Sequence, residues 1–600
     1  MVDVLMVIYR PRLDELLACF AALTREARLV PGLLVRLWHN DGGPAVTPGL
    51  QDLYDSTARA GLTLELGPSD QGNIGFGRGM NALLAISKAE FALVLNQDAI
   101  PEPGSLQFLC ETASTDAPEV GAWEMRQIPY EHPKDYDPIT QHTEWVSGAA
   151  VLLRTAAARK VGGFEAKIFM YGEDVELSWR LRCAGYRLRY VPRSAVVHHT
   201  YAVANEVKPL QVLEGIYANL SLRARYSGHR RILQGVSMAC AEMMIPQPFP
   251  GRRKGIAKAL VKFARNYRHF WGTHQSAPGF EPRFAGWGYE VRREGAFHPF
   301  QAAADQASEK PLVSILVRTH RRAAFLRQAL TSVLNQTYRN LEVVVVEDDS
   351  SEGEAVCEEF RGKLDVRYHR IHPGRGRSVA GNLALAEARG EWMCFLDDDD
   401  LLFADHVEVL LQMAKQHRLP GAYGLAWRTY TRVIDENSAS VEEVRHDVVP
   451  DEAFSRMVLW HHNFMPIQSV LFHRSLYDRH GGFAEDMEQL EDWNLWTRYT
   501  IDVDFIQVRK VTSKYRVPAS VHISSQRQSR LDEAYRDAVA RQADMMFSAN
   551  PEMVRRLAED YARQNALIHV GRDQVRRSFA RWPLLRQLFA LRGLLRLRRR

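Results

Sequence analysis

Residues Gly162–Pro192 read GGFEAKIFMYGEDVELSWRLRCAGYRLRYVP, and a weaker echo starts at Gly481, GGFAEDMEQLEDWNLWTRYTIDVDFIQV. In each copy a Gly-Gly-Phe turn is followed by an acidic pair, Glu173-Asp174 and Glu491-Asp492. A Leu stands three positions after each Asp (Leu177, Leu495) and an Arg six after (Arg180, Arg498). That phase predicts a short helix with the Asp in its first turn. The helix dipole favours an ionised carboxylate there, which is what a general base requires. One copy alone reads as a helix-terminal charge in a packed unit. Two copies, each with an acidic strand end upstream, argue for chemistry.

The same repetition organises the whole chain. Its 600 residues are too many for one hydrophobic core, and 46% hydrophobic with 25% charged residues is ordinary globular composition. A net charge of +5, with acids and bases mixed along most of the chain, gives no sign of nucleic acid. The six cysteines (Cys19, Cys110, Cys183, Cys240, Cys357, Cys394) form no CxxC pair and read as reduced thiols. The chain opens on VDVLMVIYRP without a basic n-region or cleavage site, so no leader is expected. No apolar run reaches the roughly 18 residues of a membrane span. A cytoplasmic protein is expected.

Upstream of the first copy, strands are expected at Val2–Tyr9, Leu33–Trp38, Leu62–Leu66 and Phe91–Leu95, with a helix at Leu13–Leu23. Polar residues close each strand, the pattern of a parallel sheet with its site at the carboxyl edge. GNIGFGRG follows the third strand rather than the first, and no acidic ribose ligand follows it. A dinucleotide fingerprint is therefore not expected, although its glycines let backbone approach a nucleotide or sugar closely.

The residues Asn73, Gly75, Phe76, Gly79 and Asn81, then Leu95-Asn96-Gln97-Asp98, WVSG at Trp145–Gly148, MYGEDVELSWRL and VPRSAVVHH keep a characteristic order over roughly residues 2 to 200. In this order they resemble a family 2 glycosyltransferase of the GT-A fold, most like its rhamnosyltransferase-type members. The resemblance implies donor contacts from Tyr9, Asn40, Asp41, Asn73, Gly75, Asn81 and Asn96, and a metal held by Asp98 with His198 or His199. It implies that Asp174 deprotonates the acceptor hydroxyl for in-line attack with inversion. On chemistry alone, a carboxylate-held Mg²⁺ or Mn²⁺ neutralises the departing diphosphate, and Asp98 at a strand end suits that. A His pair after a strand also reads as a surface or core pair. His39-Asn40-Asp41 stands where relatives carry an Asp-Asn pair.

From about Tyr201 to Lys310 the chain turns helical and basic, and its Trp, Tyr and Arg residues are expected to pack between domains rather than to bind sugar. Pro311 restarts the first pattern with VSILVRTH, LEVVVVEDDSSEG, GRSVAGNLALAEARGEW and MCFLDDDDLL, again similar to family 2 in its general form. By resemblance, Thr319, Asp348, Asp349, Asn382, Asp397 and Asp398 serve the donor. Asp399 and Asp400, with His522, would hold the metal, and Asp492 is the base. Gly381 replaces the usual Arg before Asn382. Four adjacent acids, Asp397 to Asp400, repel one another and need a cation or a basic partner; a metal is expected.

The final stretch VRRSFARWPLLRQLFALRGLLRLRRR contains no acid. It suits an amphipathic segment on an anionic membrane, a helix docked on the enzyme body, or a nucleic-acid-binding tail; the membrane is the expectation, and nucleic acid is not. The expected architecture is α/β. Two GT-A domains (Rossmann-like, mostly parallel sheets) at 1–230 and 311–530 flank a helical linking segment at 231–310. A helical region with a basic amphipathic tail follows at 531–600.

The expected function is that of a bifunctional, metal-dependent inverting glycosyltransferase. It would move rhamnose or another hexose from dTDP-rhamnose, UDP- or GDP-sugars to a lipid-linked bacterial surface polysaccharide such as O-antigen, in the cytoplasm or at the inner face of the membrane. The alternative is one catalytic domain beside an acceptor-binding or structural one. A non-catalytic carbohydrate-binding scaffold would need neither Glu-Asp pair.

Overall fold

The structure, a computed structural model, describes residues 1–67, 72–199, 206–245, 248–289, 292–295, 310–449, 452–543, 545–547 and 551–559. The basic stretch 575–600 lies outside the described residues. No helix among those described is long and apolar enough to cross a membrane.

The first half contributes β1 (Val2–Ile8), β2 (Leu34–His39), β3 (Thr63–Leu66), β4 (Phe91–Leu95), β5 (Ala99–Pro101), β6 (Val120–Pro129), β7 (His142–Thr143), β8 (Ala150–Arg154) and β9 (Arg187–His198). The second contributes β10 (Val313–Thr319), β11 (Leu341–Asp348), β12 (Asp365–Ile371), β13 (Trp392–Asp397), β14 (Leu401–Leu402), β15 (Gly421–Asp435), β16 (Ser440–Val449), β17 (Val470–His473) and β18 (Ile506–Pro518). The sheet orders are β3-β2-β1-β4-β8-β6-β9-β5 and β12-β11-β10-β13-β17-β15-β18-β14, so one order becomes the other on adding nine. The exceptions are β7, which pairs with β9, and β16, which pairs with β15.

Each sheet is mixed. β3-β2-β1-β4 and β12-β11-β10-β13 are parallel, while β8 and β17 run antiparallel to their neighbours. The apolar runs expected as strands form the parallel part; β1, β4, β10 and β11 are buried on both faces, as continuous Val/Ile/Leu runs require, while β3 and β12 at the outer end are partly exposed.

Both acidic pairs open helices as expected, Glu173–Cys183 and Glu491–Tyr499. The two halves repeat a clasp that explains the Gly-Gly-Phe spacing. Asn81 accepts from the Phe164 N–H at 2.7 Å and donates to the Phe164 carbonyl at 2.8 Å. Asn382 does the same with Phe483, at 2.7 and 3.0 Å. Arg180 donates to the carbonyls of Val161 and Gly163, and Arg498 to those of His480 and Gly482. A β-carbon on Gly163 would lie 2.3 Å from Asn81 Oδ1, and one on Gly482 2.1 Å from Asn382 Oδ1, so the second glycine of each turn tolerates no side chain. This corrects the donor-contact expectation for Asn81 and Asn382, because both ends of each amide hold the turn.

Three helices occupy the middle, Pro209–Tyr226, His229–Met244 and Arg252–Gly272. They share a core built on Ile216, Tyr217, Leu220, Ile256 and Phe263 with Trp179 of the Glu173 helix. Gly172, at φ 96°, caps that helix with a β-carbon position 2.7 Å from Ala218.

The two halves also pack on each other. Tyr136, Tyr190, Phe403, Leu425, Trp427 and Val511 form one buried cluster, and Tyr136 meets Phe403 edge-on at 5.3 Å. Beside it four charges close a ring. Arg293 binds Glu131 at 2.9 Å and Asp405 at 3.3 Å, and Lys510 binds the same two carboxylates at 2.8 and 2.5 Å. Both acids are held below their ordinary carboxylate range: burial opposes ionisation, but the two cations outweigh it.

Candidate active sites

The ends of β1 and β4, the loop before β8, the start of the Glu173 helix and the end of β9 meet around a cavity of about 980 Å³. Tyr9, Asn40, Asn73, Asn96, Gln97, Asp98, Asp174 and His198 all line it. Residues scattered over the sequence thus converge at the carboxyl edge of the parallel strands, where such sites form.

Asp174 is positioned by backbone. The Gly148 N–H donates to Oδ2 at 3.0 Å and the Val175 N–H to Oδ1 at 2.8 Å. Asp98 Oδ1 lies 3.5 Å from His198 Nε2, while His198 Nδ1 sits 2.8 Å from Gln127 Oε1. An imidazole held through one nitrogen with the other beside a carboxylate is the usual arrangement of a metal-ligating histidine. Burial opposes ionisation of Asp98, yet His198 holds its carboxyl below the ordinary range. Of the expected pair, His198 is therefore the residue that meets Asp98; His199, one position on, is exposed at the strand end. Among the described residues no group of three or more His, Cys, Asp or Glu side chains is arranged to hold a metal ion by itself. Asp98 and His198 are the residues that would hold a divalent cation here, and a carboxylate with an imidazole suits one.

The other expected donor residues around β1, β2 and the Gly-rich turn mostly shape backbone. Asn40 accepts from Trp38 Nε1 at 3.1 Å and donates to the Gly75 carbonyl at 3.2 Å. Asp41 accepts from the N–H groups of Arg10 and Gly43 at 2.5 and 3.1 Å. Asn73 Oδ1 accepts from the Gly75 N–H at 3.0 Å. Gly75, at φ 89°, has no room for a β-carbon, which would meet Phe169 at 2.8 Å.

Two contributions to this cavity were not visible in the sequence. His132, in the loop after β6, lines it and contacts Ser147 Oγ at 3.3 Å; burial lowers its pKa. Glu242, Arg252, Trp287, Tyr289 and Arg292 of the middle segment form its far wall. Trp287 donates to Glu242 at 2.6 Å, and Arg252 also binds Glu242. The expectation that the aromatics and arginines of this segment serve only to pack is corrected: they also wall the cavity. Loops rather than helix faces bring several of them there, so no periodicity marks them.

The second half places Asp492 equivalently, with Asn463 Nδ2 donating to Oδ2 at 2.9 Å and the Trp493 N–H to Oδ1 at 2.8 Å. Burial, then the neighbouring Glu491, push Asp492 up to about 7. Around it the chemistry diverges. Arg318 forks onto both oxygens of Asp397 at 2.7 and 2.8 Å and reaches Glu491 at 3.1 Å. Asp398 accepts from Thr319 at 2.8 Å, and Arg322 spans Asp398 and Asp399 at 3.3 and 2.8 Å. The compensation expected from a metal is thus largely supplied by arginines.

By strand register, the first half has Val7 for Arg318 and Asn96 for Asp397. Glu173, in the position of Glu491, is left with a buried, unpartnered Oε2, and burial with Asp174 beside it pushes its pKa up to about 8.

Four residues expected to serve the metal or the donor have other surroundings here. Asp400 is buried, and burial with Asp399 beside it raises its carboxyl well above the ordinary range. His522 lies in the exposed helix Val521–Gln542, beside Gln526, because Pro518 ends β18 before it. Asp348 accepts from the N–H groups of Arg375 and Gly376 at 2.8 and 3.0 Å, and Asp349, at φ 58°, accepts from the Gly374 N–H at 3.3 Å. Both therefore shape the turn opening the Arg377–Glu387 helix.

A duplicated α/β unit, each half with an Asp in the first turn of a helix and a carboxylate at a strand end, defines the class: paired GT-A-type units in one chain. Family models agree: Glycosyl transferase family 2 matches residues 314–481, and Glycosyl transferase family group 2 matches 136–335. The chain belongs to the family 2 glycosyltransferases, in tandem form.

Among curated relatives, an uncharacterized glycosyltransferase of Rickettsia conorii is 26% identical over 222 residues, 36% of this chain and 34% of its own length. The glycosyltransferase EpsH of Bacillus subtilis is 35% identical over 107 residues, 18% of this chain and 31% of its own. The chain thus spans about a third of the length of these relatives. Among solved structures, S. aureus TarS 1–349 in complex with UDP-GlcNAc shares 17% identity at a TM-score of 0.32, covering 42% of this chain and 69% of that one. The mannosyltransferase PcManGT from Pyrobaculum calidifontis, in complex with GDP-Man and Mn²⁺, shares 15% at 0.30, covering 45% and 83%. At that level these likenesses carry no argument.

Proposed function

We propose that both halves transfer sugars from nucleotide-sugar donors by metal-assisted inverting displacement, building a lipid-linked bacterial surface polysaccharide such as O-antigen. Rhamnose or another hexose is the unit transferred. The observation that carries this reading is that Asp174, Asp98 and His198 face one cavity while Asp492 repeats the placement of Asp174 in the second half. In it, Asp174 takes the proton of the acceptor hydroxyl as that oxygen attacks the anomeric carbon. Asp98 and His198 would hold the cation, whose charge would offset that of the departing diphosphate.

The test is nucleotide-diphosphate release from a panel of nucleotide sugars with Mg²⁺ or Mn²⁺. Chelation with EDTA is expected to abolish release at the first site, and Asp98→Ala to lower it by about 100-fold or more, the scale of a few kcal/mol of charge stabilisation. Full activity in EDTA would overturn the metal role.

The second half makes a separate prediction. With the first site silenced by Asp174→Asn, kcat/KM is expected to fall about tenfold per pH unit below about 7, because Asp492 must be ionised to act as base and is protonated below that pH. A flat profile from pH 5 to 8 would remove Asp492 from that role.

One observation favours a second reading in which only the first half is catalytic. Arg318 and Arg322 occupy the acidic cluster beside Asp492. The lean Asn-Gln-Asp strand end, which on chemistry alone makes the first half the weaker catalyst, lies against the open cavity.

A further inference from the structure

The Arg252–Gly272 helix is 21 residues long and contains no acid. Its inner face, Ile256, Ala259, Phe263 and Phe270, is buried. Lys254, Lys258, Val261, Arg265 and Arg268 are exposed, and at 3.6 residues per turn they fall within an arc of about 80° on the opposite side. Among the described residues, the ion pairs of this helix involve Arg252, Lys262 and His269, none of them on that arc. Among the described residues, four cations therefore share one face with no acidic partner, while bases elsewhere are widely paired.

Apolar groups accompany them. Val261, in the middle of the arc, is 50% exposed. Met244 and Ile245, which close the preceding helix, are 80% and 50% exposed. The Arg252–Glu242 pair brings that end against the start of the cationic helix. Cations flanked by exposed aliphatic side chains fit a surface that is anionic at its face and apolar just beneath. A nucleic-acid backbone offers nothing to the aliphatic groups. The end of the chain is an unsuitable cover for this face, since residues 575–600 carry arginines and no acid.

We propose that the outer face of the Arg252–Gly272 helix docks the protein on an anionic phospholipid surface, with Met244 and Ile245 entering the headgroup layer. The proposal goes beyond the transferase reading and uses none of its donor chemistry. It also gives that reading a geometry, because Arg252, on the buried side of the first turn of the same helix, and its partner Glu242 line the first cavity. A saccharide carried on a lipid would then meet the cavity from the membrane side.

The test is co-sedimentation of the full chain with phosphatidylcholine vesicles, with and without about a third phosphatidylglycerol. It compares the wild type with a variant carrying Lys254→Gln, Lys258→Gln, Arg265→Gln and Arg268→Gln. Both are also measured in a background with Arg596, Arg598, Arg599 and Arg600 changed to Gln, so that the end of the chain does not hide the helix. Expected are binding that needs phosphatidylglycerol, weakens with salt, and falls at least tenfold in the helix variant in that background. Nucleotide-diphosphate release with soluble glycoside acceptors is expected to be the same in variant and wild type. Equal vesicle binding by both proteins in that background overturns the proposal. So does loss of release with soluble acceptors, which would assign the face to the cavity. A variant that loses affinity for an oligonucleotide but keeps vesicle binding overturns it in favour of nucleic acid.

Discussion

Asp174→Asn is expected to lower transfer at the first site by about 10³-fold, within the usual range for loss of a general base, while leaving the second site active. The substitution is nearly isosteric, and one of the two N–H groups that fix the carboxylate, of Gly148 or Val175, can still donate to the amide oxygen. The helix therefore persists, and the loss reports proton transfer rather than folding. Asp492→Asn is expected to do the same in the second half. Measured as nucleotide-diphosphate release across a donor panel, the two variants should each silence a different donor or arrest the product at a different length. If Asp174→Asn retained more than a tenth of the activity of its site, the base would have to be sought elsewhere. If only one of the two substitutions had an effect, the other half would be a support for its neighbour.

The second large effect concerns the joint between the halves. Arg293→Met is expected to destabilise the protein by about 3–5 kcal/mol, the usual cost of breaking a buried ion pair from one side. Arg293 is fully buried, and Glu131 and Asp405 are nearly so. Without it, Lys510 alone would face two buried carboxylates. Most of the cost comes from the negative charge that stays buried without its partner, so adding Glu131→Gln to Arg293→Met should recover part of the stability. Thermal unfolding of the single and double variants checks this. A melting temperature unchanged in Arg293→Met would mean that water reaches the cluster.

The parallel strands and both catalytic-type helices were legible because their signals are local: apolar runs ended by polar residues, and a helical phase after Glu-Asp. The Asn81 and Asn382 contacts were misread because a recurring Asn marks a position, and says nothing about whether its amide faces a ligand or a turn. Arg318 sits within the apolar run VSILVRTH, and only the pairing of β10 with β13 brings it beside Asp397. The same limit hid His132 and Trp287, which reach the cavity through chain reversals with no period of their own.

The wall that the middle segment lends to the first cavity bears on how the protein can be handled at the bench. A fragment stopped at residue 230 would keep Asp98, Asp174 and His198, and so every residue a motif search would ask of it. It would nevertheless lose Glu242, Arg252, Trp287 and Tyr289 from the cavity, and it would expose the underside of the Glu173 helix, where Trp179 packs on Phe280 and Phe284. Inactivity of such a fragment would say nothing about the catalytic competence of the first site. The shortest piece suited to an assay runs at least through Arg293, and because that residue is bound by Asp405, the intact chain is the natural unit to purify.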